Sequence, residues 1–101
     1  MNKEEMAYIK ELKNDDSAYS YQDDELGLIR MKIIYRGERL YLQVEDRAMI
    51  CVISARDSML SKKSLKKWDS GDKVNINEVD FLCEKIKKYY AKSYSEELVV
   101  V

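Results

Sequence analysis

The feature that most constrains this chain is a polar turn followed by an amphipathic helix. It lies in the stretch from Ser64 to Lys92, SLKKWDSGDKVNINEVDFLCEKIKKYYAK. Ser70-Gly71-Asp72 reads as the turn. Asn77 has the chemistry of an N-cap, and Asp80 places a carboxylate in the first turn, where the helix dipole favours negative charge. Ile76 and Phe81 have the spacing of a hydrophobic staple across that cap. Val79, Leu82, Cys83, Ile86 and Tyr90 recur every three to four residues and so share one face. Lys85, Lys87, Lys88 and Lys92 sit late in the helix, where cations suit the negative end of the dipole. A helix with one apolar face needs a sheet or another helix to cover it, and the rest of the chain must supply that partner.

A first, shorter helix is expected near the N-terminus. Asn2 and Glu5 have capping-box spacing, and Met6, Ile9 and Leu12 form its apolar stripe up to about Asn14-Asp15-Asp16. Residues 15–25, DDSAYSYQDDE, read as an acidic loop with a short edge strand around Tyr19 to Tyr21. From Gly27 the period changes to two. Ile29, Met31, Ile33 and Tyr35 alternate with polar residues, Arg36-Gly37-Glu38 forms a turn, and Leu40, Leu42 and Val44 alternate again. Two such runs around a glycine-containing turn predict a β-hairpin. Residues 48–55, AMICVISA, are apolar on both faces and predict a central third strand. Ser64 to Trp68 fits a brief fourth strand, and the valines after Glu97 fit a closing strand that joins the sheet. The expected architecture is α+β: an antiparallel sheet of four to five strands with both helices packed on one face.

Length and composition limit the function classes. A chain of 101 residues, 46% hydrophobic and 37% charged, suits one globular domain with one core. No apolar run approaches the roughly 20 residues needed to cross a bilayer, so no membrane partner is expected. MNKEEMAYIK lacks the apolar segment of a signal peptide, and together these features predict a cytoplasmic protein. Histidine is absent and Cys51 and Cys83 are predicted to be buried free thiols, so a zinc site or a histidine-based triad lacks its parts. The three glycines, Gly27, Gly37 and Gly71, stand as turn residues and do not form a phosphate loop. The paired carboxylates lack calcium-loop spacing and are most simply solvated. No enzyme activity, metal or cofactor is therefore expected.

Charge layout points to partners. The net charge is −1, yet residues 1–26 carry three lysines against eight carboxylates, whereas residues 56–92 carry ten basic groups against six acidic ones. In the basic half, Lys62, Lys63, Lys66 and Lys67 lie near Trp68, and the lysines of the last helix lie near Tyr89, Tyr90 and Tyr94. Lysines interleaved with aromatics suit a small nucleic-acid-binding module. A solvated helix face accounts for the same lysines, and Trp68 reads as a structural anchor between helix and sheet. Of the eight tyrosines, Tyr8, Tyr19, Tyr21 and Tyr41 fall outside the predicted apolar faces, and exposed tyrosine is enriched in protein-binding hot spots.

The run Ser64-Leu65-Lys66-Lys67-Trp68-Asp69, a polar turn, and Ile76-Asn77 opening a helix resembles the C-terminal half of small bacterial immunity proteins. These protect a cell from polymorphic or contact-dependent growth-inhibition toxins. Leu65 stands where that pattern usually has isoleucine, and Ser70-Gly71 where it often has proline. The resemblance implies a non-enzymatic inhibitor whose partner is a cognate toxin domain, often a nuclease. Charge layout then nominates Asp15, Asp16, Asp23, Asp24 and Glu25 as the toxin-binding acids, with Tyr19 and Tyr21 as anchors. A homodimer through an edge-lying LVVV strand stays open at this point.

Overall fold

The computed structural model describes residues 3–34, 38–54 and 56–101. Asn2 of the expected capping box, Tyr35 and Arg36-Gly37 of the first hairpin, and Ala55 lie outside the described residues. Helix α1 spans Lys3–Glu11 and continues into a single 3-10 turn, Leu12–Asn14. Strands β1 (Tyr19–Asp23), β2 (Gly27–Ile34), β3 (Arg39–Val44), β4 (Arg47–Ser54) and β5 (Met59–Leu60) follow, then helix α2 (Ile76–Tyr94) and strand β6 (Val99–Val100). The six strands form one sheet in chain order, antiparallel except for the parallel β5–β6 pair. The fold is α+β as the periodicities predict, with the valine-rich end joined to the sheet. A parallel neighbour needs a long crossover, and the segment containing α2 supplies it.

Period-two alternation becomes register. Ile29 lies opposite Val44, Met31 opposite Leu42 and Ile33 opposite Leu40, so all six side chains point to one face. That face receives Val79, Leu82, Cys83, Ile86, Tyr89 and Tyr90 of α2 and forms the main core. The alternate positions form a second, smaller core. There Tyr41 and Ala48 are buried with Ile9 and Leu12 of the N-terminal helical segment, flanked by Ile34 and Ile50. The helices therefore cover opposite faces of the sheet and do not share one. This explains why residues 48–55 read as apolar on both sides. It also places Tyr41, which falls outside the predicted apolar faces, fully inside the protein.

Three local expectations are corrected. The helix cap is Asn75 and not Asn77: Asn75 is extended (φ −74°, ψ 158°) and its side chain accepts the Glu78 backbone N–H at 2.8 Å. Val74 and Val79 then occupy the staple positions in the core, while Ile76 is left 76% exposed. The segment before the turn is no strand. Lys62–Ser64 form a 3-10 turn, the fourth antiparallel partner is β5 upstream of it, and Lys67 makes only a single bridge to Lys73. The acidic segment, in contrast, contains a full five-residue edge strand, β1.

Gly27 is needed where it stands. Its φ of +79° favours glycine, and a Cβ there would lie 1.8 Å from Glu45 Oε1. We predict that Asn75→Ala lowers stability by about 1 kcal/mol, because it orphans an N–H in the first turn of α2. Urea denaturation of the two proteins measures this. Asn77→Ala, one turn position inside the helix, should cost markedly less.

Candidate partner-binding site on the acidic strand

Strand β1 is held against the C-terminal half of α2 by side chains that alternate along the strand. Tyr19, Tyr21 and Asp23 all lie on the α2 side, since they pair with Met31, Ile29 and Gly27. The Tyr19 ring meets Tyr94 edge-on at 5.0 Å between centroids. The Tyr21 ring stacks on Tyr89 at 4.7 Å, and its hydroxyl is 2.8 Å from Ser93 Oγ. Each such aromatic pair contributes roughly 0.5–1.5 kcal/mol beyond its area.

Asp23 fixes the end of the strand. Only 3% of the residue is exposed, and its carboxylate accepts four hydrogen bonds. Tyr89 Oη donates to Oδ1 at 2.5 Å and Lys85 Nζ donates to the same oxygen at 3.1 Å. The backbone N–H groups of Glu25 and Leu26 each donate to Oδ2 at 3.0 Å, which builds the β1–β2 turn. Burial pushes the Asp23 carboxyl up, but the bonds from Tyr89, Leu26, Glu25 and Lys85 outweigh it and hold the group well below the usual carboxylate range. Lys85 reaches further to Glu25 Oε1 at 2.8 Å.

The nominated acids therefore divide. Asp23 is corrected from a contact to a structural residue, because its carboxylate is spent inside the protein. Asp15 is half-buried beside Lys32 at 2.5 Å. That lysine, with hydrogen bonds from Ser17, pushes its carboxyl down to about 2. Asp16, Asp24 and Glu25 face solvent, as does Tyr19 at 41% exposure. The site keeps one outward tyrosine edge on the braced strand and three outward carboxylates in the turns that flank it, of which Glu25 is paired with Lys85. Trp68 is 3% exposed in the main core, with the Arg47 guanidinium 4.1 Å from its ring centroid.

Of the α2 residues that complete this arrangement, Lys85 and Tyr89 read from the sequence only as part of a cationic, aromatic helix face, and Ser93 carried no signal of its own. Lys85, Tyr89 and Ser93 recur at intervals of four, one helical face, and match the two-residue interval of Tyr21 and Asp23 on β1. That matching of periods was the available signal. Among the described residues, no group of three or more His, Cys, Asp or Glu is placed to hold a metal ion. Cys51 and Cys83 are free and buried, and burial pushes both thiols up, away from nucleophilic chemistry. No described helix is long and apolar enough to cross a membrane. No family model, curated protein or solved structure matches the chain.

Two consequences can be measured. Asp23→Asn should cost about 2 kcal/mol at neutral pH, because it replaces a charge-assisted cluster with weaker bonds. Its folded-state pKa is depressed, so the stabilisation is complete above the ordinary carboxylate value of about 3.9 and is lost as the pH falls below it. Wild-type stability should thus fall more steeply than that of Asp23→Asn between about pH 4 and pH 2. Denaturation midpoints across that range decide it, and parallel curves would reject the assignment.

Proposed function

We propose that this protein is a non-enzymatic immunity protein that binds and neutralises a cognate toxin domain, a nuclease being the favoured class. The observation that carries the reading is the bracing of the acidic segment: Asp24 and Glu25 project from the β1–β2 turn that Asp23, with Tyr21 and Tyr19, fastens to α2, and Asp16 lies exposed in the turn before β1. A backbone already braced by such contacts has less to order on association, which lowers the entropic cost of binding. A basic substrate-binding cleft is the natural complement of such a surface. Long-range attraction would steer encounter, and the segment would then exclude a polyanionic substrate from the cleft. The sequence resemblance of Ser64 to Asn77 to immunity proteins supports the same class. Protection against such a toxin requires the protein to act in the cytoplasm.

The rival reading, a nucleic-acid module, loses one of its two supports. Of the aromatics that interleave with the lysines in sequence, Trp68, Tyr89 and Tyr90 are at most 3% exposed and offer no stacking face, which leaves only the half-buried Tyr94.

Co-expression with the C-terminal domain of the protein encoded immediately upstream tests the proposal. Growth rescue with co-purification is expected, and a harmless neighbour, or toxicity without rescue, would reject it. Within a confirmed complex, reversing Asp16, Asp24 and Glu25 to lysine should weaken binding by roughly tenfold or more, chiefly through a slower association rate that wild type also shows at high salt. Unchanged kinetics would move the interface elsewhere.

A further inference from the structure

A second surface lies at the other end of α2, roughly 20 Å along the helix axis from Tyr89. It is an open groove of about 600 Å³. Its floor is aliphatic, formed by Leu65, Val74, Ile76, Val79 and Val101, and its walls carry Lys62, Lys63, Lys66, Lys67 and Lys73. No Asp or Glu side chain lines it. Ile76 and Val101 are 76% and 62% exposed, an unusual placement for two aliphatic side chains side by side in one groove.

Four of these five lysines are exposed to solvent. Lys62 pairs with Asp80 outside the groove. Among the described residues, Lys63, Lys66, Lys67 and Lys73 have no ion-pair partner. Moreover, Lys67 and Lys73 lie directly opposite each other in an antiparallel bridge, closed by the Trp68 N–H to the Asp72 carbonyl at 2.9 Å and the Val74 N–H to the Lys66 carbonyl at 2.9 Å. Opposed cross-strand side chains have Cβ atoms about 5 Å apart, and like charges there repel. A fold gains nothing from that pair on its own, whereas an anionic group seated between the two ammonium groups converts the repulsion into two favourable contacts.

From this geometry we propose that the groove is a docking site for an acidic amphipathic segment of a protein partner, with aliphatic side chains on the floor and carboxylates against Lys66, Lys67 and Lys73. This surface is separate from the acidic strand, and the proposal does not depend on the immunity reading. The recess of about 600 Å³ between these residues suits an inserted peptide segment better than the surface of a membrane. The absence of an aromatic from the groove lining disfavours nucleic acid.

The test is a titration of the isotope-labelled full chain, followed by two-dimensional NMR, with a short amidated Leu/Glu peptide of helical spacing. The expected result is saturable shifts at Val74, Ile76, Val79 and Val101, with a Glu/Ser peptide of equal charge binding roughly tenfold more weakly. Lys73→Glu and Ile76→Ser should each weaken the peptide roughly fivefold or more. Lys73→Glu replaces a repelling pair with an attracting one, so its melting temperature should hold or rise, which separates lost binding from lost folding. No shifts, equal binding of both peptides, or binding unchanged by the two variants overturns the proposal. So does a response confined to phosphatidylglycerol vesicles, to single-stranded DNA, or to self-association in sedimentation.

Discussion

The carboxylate of Asp23 is the interaction on which the acidic end of this protein depends. Taking an ionised carboxylate out of water is costly, and a single partner rarely offsets that cost. Here four donors converge on it, two from the backbone of the turn it caps and two from α2 more than sixty residues away. The same group thus closes the β1–β2 turn and ties the edge strand to the helix. Without it, β1 would keep hydrogen bonds to β2 and its tyrosine contacts, but the turn and the helix would lose their common anchor.

Helix α2 serves as the spine between two surfaces of opposite charge. Its first turn, capped by Asn75, borders the lysine groove, while Lys85, Tyr89, Ser93 and Tyr94 brace the acidic strand. The near-zero net charge hides this polarity. The acidic and basic ends both rest on one helix packed by Leu82, Ile86 and Tyr90. Burial along the spine sets stability, whereas the charged ends contribute little to it.

Periodicity carried the large elements into view. The alternation of Ile29, Met31 and Ile33 with Leu40, Leu42 and Val44 fixes a hairpin register, because a shift by one residue would expose the whole apolar set. The recurrence of Val79, Leu82, Cys83 and Ile86 likewise leaves no alternative to a helix. Boundaries were less legible. Asn75 and Asn77 are equivalent caps by composition, and the choice falls to Asn75 because Val74 and Val79 then reach the core while Ile76 does not. The five-residue strand β1 was read mostly as loop, since its inward side is built from Tyr19, Tyr21 and Asp23 and carries no aliphatic signal.

Fold class, hairpin, long helix and charge separation are all written in local spacing and could be read before folding. Which charges remain exposed depends on contacts between distant segments. Asp23 is consumed internally, Asp15 is half-committed to Lys32, Glu25 is exposed but paired with Lys85, and Asp16 and Asp24 are left outward. Likewise Lys62 finds Asp80, whereas Lys67 and Lys73 find only each other. The difference is physical: secondary structure follows from interactions a few residues apart, but a charge's role depends on partners that only folding brings within hydrogen-bonding distance.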